Sequence, residues 1–338
     1  MIIRNYNEVA ETYAYAAKKG WVIPCICTEN QTSTEAVLAA AKAYKDEHNL
    51  ERLPVSLAVT INYESRSQAP NYNAFRDWRT GLRLFSDDAE ALAGKGGLFE
   101  DIDVLLHLDH AQFDLDAELL SGDLSDYSSV MYDASALPFE QNIEKTAAFV
   151  KEYGGKIFIE GACDEIVDAT GTQHNALTTP GRAKEFITRT GADVIVCNLG
   201  TEHRASGKEL KYYSDAARAI KSEIGGKIVL HGTSSVGSDQ IGELFADGVC
   251  KVNIWTAIER DSAPVLFEDM VKNAVKAAGQ GTVKQLIAEG YLTEKCLTDG
   301  KISLSHCTAM YRNDIIFGKM KSIIYDYFAL FCPPALAG

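Results

Sequence analysis

No stretch of this 338-residue chain approaches the run of about 18 apolar residues that spans a bilayer. The opening segment MIIRNYNEVAETYAYAAKKG carries Glu8 and Glu11 and reads as an amphipathic helix, with none of the apolar core of an export signal. A soluble, cytoplasmic protein is therefore expected, with no membrane partner. Positive charge is also in deficit. Lysine and arginine total 33 against 47 acidic residues, a net charge of −14, and no basic patch offsets it. Phosphate backbones and anionic lipid are repelled by such a surface, so nucleic acid is excluded as the natural partner. The eight cysteines are scattered. Their one close pair, Cys25 and Cys27, lacks the two-residue gap of a zinc knuckle, and reduced thiols are the expectation. No glycine-rich dinucleotide turn follows the first apolar run.

What the chain does have is a series of short, β-branched, nearly continuous apolar runs with helix-forming segments between them. They read WVIPCIC near 24, PVSLAVTI near 57, DVLLHL near 105, SSVMYDA near 131, KIFIEG near 158, DVIVCNL near 196, KIVLHG near 229 and CKVNI near 252. Runs without polar alternation are buried on both faces, as parallel strands are when helices cover them. Between the fifth and sixth runs, Thr179, Pro180 and Gly191 mark the cap, first turn and stop of a helix. Eight strands alternating with helices predict an α/β fold of the TIM (β/α)8 barrel type, with an open doubly wound sheet as the alternative. Residues 1–275 are assigned to the barrel, 62–101 to an insertion after strand two, and 276–338 to a C-terminal helical extension packed on the barrel or on a second subunit. A second long connection, 162–179, follows strand five, and long loops on a barrel rim are often lids.

Histidine is rare, seven in all, yet His107 and His110 end strand three, His203 lies just past strand six and His231 ends strand seven. In a barrel every strand's C-terminus opens on one face, so these residues converge. A single histidine there is ordinarily a hydrogen-bonded rim imidazole. His110, His203 and His231 together make a catalytic-metal pattern suited to zinc or a related divalent ion. His107, inside the apolar run, is read as a packing or supporting residue; His48, His174 and His306 hold no strand-end position, but His174 lies on the long loop after strand five and stays a candidate. Asp109 is the candidate general acid/base, although its side chain is expected to diverge from that of adjacent His110. The turn in LHGTSSVGSDQIGELF offers backbone amides and a helix start, an anion seat in this fold. Asn253 and Thr256 end strand eight beside it.

The motifs HLDH, DASALPFEQNI, LHG and KVNI, in that order and spacing, resemble those of the class II, metal-dependent fructose-bisphosphate and tagatose-bisphosphate aldolases, over roughly residues 8–275. The resemblance implies that His110, His203 and His231 hold Zn2+ and that Asp109 handles the proton of the substrate's C4 hydroxyl. It implies that Gly232 and Ser234 contact phosphate, that Asn253 and Thr256 seat the ketose, and that cleavage passes through a metal-stabilised enediolate. It also implies a carbon-protonating acid on the loop after strand five, for which Glu165 is chosen over Asp164 and Asp168. The substrate would be a phosphorylated ketose and the protein a homodimer or larger homo-oligomer, an idea the apolar side chains of Tyr325, Tyr327, Phe328, Leu330 and Phe331 also suggest.

The chain departs from the family pattern at several points. Thr233 and Ser235 stand where glycines let backbone approach phosphate. Ala162 replaces the second acid of a strand-five pair whose first is Glu160. Cys27 replaces an asparagine, and Trp255 stands where some fructose-bisphosphate enzymes carry an acid. Arg76, Arg79 and Arg83 of the insertion are candidates for an anion contact, against the ordinary role of solvated surface arginines. The rival functions are a metal-dependent sugar epimerase or isomerase on the same scaffold, and a non-catalytic sugar-binding relative.

Overall fold

The computed structural model describes residues 1–63, 66–165, 176–201, 212–233, 236–237 and 239–334. All eight apolar runs are strands: β1 Ile23–Cys27, β2 Pro54–Thr60, β3 Asp103–Gln112, β4 Ser129–Asp133, β5 Phe158–Ala162, β6 Val194–Val196, β7 Ile228–Leu230 and β8 Val249–Ile254. They form a closed barrel in chain order, every pairing parallel, with β8 returning to β1 through Cys25 opposite Asn253. The helices are α1 Tyr6–Lys19, α2 Gln31–Glu47, α3 Trp78–Ala93, α4 Ala117–Leu120, α5 Phe139–Tyr153, α6 Pro180–Thr190, α7 Ser214–Ile224, α8 Thr256–Lys272, α9 Ala274–Ala288, α10 Leu304–Cys307 and α11 Ala309–Phe331. The cap expected at Thr179 is present: its side chain accepts from the Arg182 amide, and Gly191 ends α6 at φ 75°.

Strand alternation sorts the core into two regions. Leu106, Leu108 and Val130 face the helices in the large outer core. Leu105, Met131, Phe158, Val196 and Val229 fill the lower barrel, together with Val9 of α1. Helix α1 plugs that end, Tyr13 stacking on Phe158 at 4.5 Å between ring centroids. One pleat higher the inward series turns polar. Two residues after Leu105 comes His107, after Phe158 comes Glu160, and after Val229 comes His231, all buried. The upper barrel is thus a polar layer on an apolar floor.

Residues 62–101 contain the ordinary second crossover helix, α3, capped by the Asp77 carboxylate. The added chain is the stretch before it, which includes a short 3-10 turn, Ala69–Tyr72. That turn sits on α3 at Gly81, where any Cβ would overlap the Ala69 carbonyl. Tyr72 anchors the stretch to the end of β1, its hydroxyl 2.8 Å from Thr28 Oγ1. Beyond β8, α11 lies between α2 and α8 on the barrel's outer face. Phe328 and Phe331 are buried there, and the Val22 amide donates to the Phe331 carbonyl. The apolar side of α11 is therefore spent largely on its own barrel, which removes it as an argument for a second subunit.

Candidate active site

The polar layer opens at the C-terminal mouth into a cavity lined by residues that include Asp109, His110, His231, Gly232, Asn253 and Thr256. His203, Ser234, His174 and Asp168 lie outside the described residues. Among the described residues, Asp109, His110 and His231 form the one group able to hold a metal ion, their ligand atoms within 4.8 Å of one another.

Neighbours in a strand normally point to opposite faces, and Asp109 and His110 break that rule for a visible reason. The β3–β4 register shifts between Leu108 and Ala111, and His110 adopts φ 46°, a left-handed conformation uncommon for a residue with a Cβ. This bulge turns both side chains into the cavity. The expected divergence of the two side chains is therefore corrected.

Each imidazole has one nitrogen committed away from the cavity. His110 Nδ1 lies 2.8 Å from Asp133 Oδ2, and Asp133 is in turn held by the Ser135 amide and hydroxyl. His231 Nε2 lies 3.3 Å from Glu160 Oε1. A carboxylate accepts only, so these nitrogens carry the protons. The remaining nitrogens, His110 Nε2 and His231 Nδ1, face one another 3.1 Å apart. With the Asp109 carboxylate beside them they make a convergent donor set of two imidazole nitrogens and an oxygen, which fits a divalent metal. Tyr63 closes one side, stacked on His110 at 4.5 Å and 16°.

Beneath the cavity runs a buried ionic chain. The Lys251 ammonium donates to Glu160 and lies 3.0 Å from His107 Nε2, while His107 Nδ1 pairs with Ser129 Oγ at 2.8 Å. Burial would push the Glu160 carboxyl up, but the Lys251 ammonium and the His231 hydrogen bond outweigh it and hold it well below the usual range. The same neighbourhood keeps Lys251 charged, since Cys25, Glu160 and Asp109 together outweigh burial. Burial and Lys251 lower His107 to about 3, so it is neutral. Its place matches the supporting role read from the sequence.

Asp109 is also held on both oxygens. Asn253 Nδ2 donates to Oδ1 at 2.8 Å, and the Cys27 thiol donates to Oδ2 at 3.4 Å. Burial opposes its charge, but His110, His231 and Lys251 keep the carboxyl below its ordinary value. Cys27 is shifted the other way by burial and by Asp109, and remains a protonated donor. Gly232 takes φ 66° at the turn after β7, a conformation glycine adopts without Cβ strain. Beside it Thr233 Oγ1 donates to the Asn253 carbonyl at 2.8 Å, stitching that turn to β8. Thr256 opens α8 at the cavity wall.

Other expected residues are placed elsewhere. Glu165 is exposed and is not part of the described cavity lining. Asp164 accepts from Arg182 Nε at 2.7 Å and from Thr178, anchoring the loop to α6. Arg76 bonds Asn71, Arg79 pairs with Glu118, and Arg83 lies 3.6 Å from Asp87 at 84% side-chain exposure. None of the three reaches the cavity; Arg66 does. The sequence reading missed Arg66, Tyr63, Asp133 and Lys251. A lysine inside the apolar run CKVNI was the available signal, because a charge in a buried strand requires a partner.

The family model described as fructose-bisphosphate aldolase class-II matches residues 7–302. The chain belongs to the class-II fructose-bisphosphate aldolase family. It is 31% identical over 179 residues to a D-tagatose-1,6-bisphosphate aldolase subunit GatY of Klebsiella oxytoca, a match covering 51% of this chain and 61% of that one. The chain thus spans about three fifths of that relative's length. A fructose-bisphosphate aldolase of Streptococcus pyogenes is 28% identical over 255 residues, covering 73% of this chain and 78% of its own. Among solved structures, the fructose-bisphosphate aldolase of Campylobacter jejuni superposes with a TM-score of 0.72 at 19% identity, over 98% of this chain and 95% of that one. That likeness supports the barrel fold of the family.

Proposed function

We propose that the protein is a lyase catalysing the reversible, metal-dependent aldol cleavage of a phosphorylated ketose. The observation that carries this reading is the buried set Asp109, His110 and His231, with both imidazoles oriented from behind by Asp133 and Glu160. Membership of the class II family supports it. His110 Nε2 and His231 Nδ1 would hold the ion, Zn2+ by preference for two imidazoles and an oxygen-bearing set, with His203 proposed as a third ligand from the sequence pattern. Such an ion, when bound, supplies Lewis-acid polarisation of the ketose carbonyl.

The chain's own residues supply the rest. Asp109, charged and fixed by Asn253 and Cys27, accepts the proton of the hydroxyl next to the bond that breaks. On cleavage that oxygen's electrons become the aldehyde C=O, and the C–C pair stays with the ketone half, where a carbon must take up a proton. Glu165, on the loop after β5, is the proposed donor. Gly232, Ser234, Asn253 and Thr256 are proposed to seat the phosphorylated ketone half at the turn after β7 and the start of α8.

Among the described residues no helix is long and apolar enough to cross a membrane, and we propose a cytoplasmic location with no nucleic-acid partner. A homodimer is proposed as well. Its face would include Phe267 and Leu304, which are 72% and 80% exposed; sedimentation as a monomer at micromolar concentration would remove that part.

The reading is tested by Asp109→Asn, which keeps the shape and an oxygen to accept from Asn253 Nδ2 but cannot take up a proton as a carboxylate does. Metal content should be retained while kcat for retro-aldol cleavage falls by about 10²–10⁴, the usual contribution of a positioned base. Undiminished cleavage by this variant would rule out Asp109 as the base.

A further inference from the structure

Arg76, Arg79 and Arg83, the insertion's candidates for an anion contact, are engaged outside the cavity, as ordinary surface arginines are, and an arginine not singled out in the sequence lines it. Among the described residues lining the cavity, Arg66 is the only lysine or arginine. Its guanidinium lies 4.1 Å from the Tyr63 ring centroid and donates through Nη2 to the Tyr63 hydroxyl. Tyr63 itself stacks on His110. Three planar groups thus run in series from the metal-binding cluster to a cation, and each restricts the freedom of the next. The base of this arm is fixed as well. The Arg66 carbonyl accepts from Thr60 at the end of β2, and buried Gln68 accepts from the Thr60 amide at 2.7 Å.

Position decides what such a cation would meet. The proposed seat of the ketone half follows β7, and Arg66 follows β2, three strands round the closed eight-stranded sheet and next to β3. A substrate reaching from the turn at Gly232 toward Arg66 therefore passes over His231, His110 and Asp109. The end near Arg66 is the part beyond the scissile bond. The same wall holds two buried polar atoms without a partner among the described residues, the Asn253 Oδ1 acceptor and the Trp255 Nε1 donor. Buried polar atoms cost stability unless a partner arrives, and a sugar hydroxyl, both donor and acceptor, supplies one for each. Trp255 stands where some relatives place an acid, so this wall presents an N–H donor in place of a carboxylate.

We propose that Arg66, braced on Tyr63, determines specificity by pairing with an anionic terminus, phosphate or carboxylate, on the aldehyde-derived half of the substrate. A planar, permanently charged fork suits either anion. The inference rests on the aldolase reading and adds to it which residue reads the charge on that half of the substrate.

The test runs in the condensation direction with metal-loaded enzyme and dihydroxyacetone phosphate. The aldehydes are glyceraldehyde 3-phosphate, succinic semialdehyde, glyceraldehyde and propanal, compared across wild type, Arg66→Met and Arg66→Lys, with metal content measured for each. In wild type the anionic aldehydes should have the higher kcat/KM. In Arg66→Met the anionic-to-neutral ratio should fall about ten- to a hundredfold, the worth of a charge-assisted hydrogen bond, with Arg66→Lys in between. The aldehyde showing the larger fall identifies phosphate or carboxylate as the natural terminus. A ratio that Arg66→Met leaves unmoved, in an enzyme that does condense aldehydes, overturns this inference alone. Failure of the wild type to condense any of the four overturns the aldolase reading and the inference with it.

Discussion

At the scale of single residues, the site works because each group's freedom has been removed by another. Glu160 is the clearest case: one oxygen fixes the proton of His231 and the other holds the Lys251 ammonium. Replacing it by glutamine preserves volume but strands a buried cation, and breaking such a pair costs about 3–5 kcal/mol. Glu160→Gln should therefore lower stability in urea and weaken metal binding about 10–100-fold in chelator competition. Adding Lys251→Met removes the stranded charge, so the double variant should recover stability while metal binding stays weak. Equal recovery of both would mean Glu160 acts only as a counter-ion. Much of this residue level was legible in the sequence. HLDH announced Asp109 and His110, and strand-end spacing brought in His231. Asp133 and Glu160 were not assigned to the histidines, because their role lies in which nitrogen they face, and that is set by pairing between strands.

At the scale of elements, the bulge in β3 was hidden from pattern reading. Alternation in an unbroken strand sends Asp109 and His110 to opposite faces, and only the register shift against β4 reverses that. The added chain after β2 was legible as an excess of length, but the arginine that faces inward was not, since Arg66, Arg76, Arg79 and Arg83 look alike in sequence.

Helix α8 carries a separate consequence. Glu259 lies in its first turn, where the helix dipole favours a charged carboxylate. Burial and nearby Glu29 override that and push its carboxyl up to about 7, from 4.5. The folded protein thus keeps this proton to higher pH than the unfolded chain does. Its contribution is complete below pH 4.5 and is lost as pH rises through about 7, by on the order of 2 kcal/mol once residual solvent is allowed for. Glu259→Gln should melt at the same temperature as wild type at pH 5 and higher than wild type at pH 8. An identical difference at both pH values would show that Glu259 ionises normally in the fold.

At the scale of the whole molecule, the count of eight buried strands with helices between them favoured a barrel over an open doubly wound sheet, and the closed sheet in chain order decides between the two. The location of α11 did not follow. Its apolar side fits a barrel face or a second subunit equally well, and only the gap between α2 and α8 shows which was filled. The chain's charge of −14 and the cavity-lining Arg66 also belong together at this scale, since a surface that repels anions gains selectivity from a cation placed at the cavity to accept them. The central claim is that this barrel cleaves ketose phosphates only with a divalent metal held by His110 and His231 beside Asp109. The most direct measurement is release of triose phosphate from fructose 1,6-bisphosphate and tagatose 1,6-bisphosphate by protein stripped with a chelator, then titrated with Zn2+. Cleavage of one of them that is absent from the stripped protein and restored at one equivalent of metal per chain is the predicted result. Cleavage that survives complete removal of metal, or its absence for both sugars at full occupancy, would contradict the account.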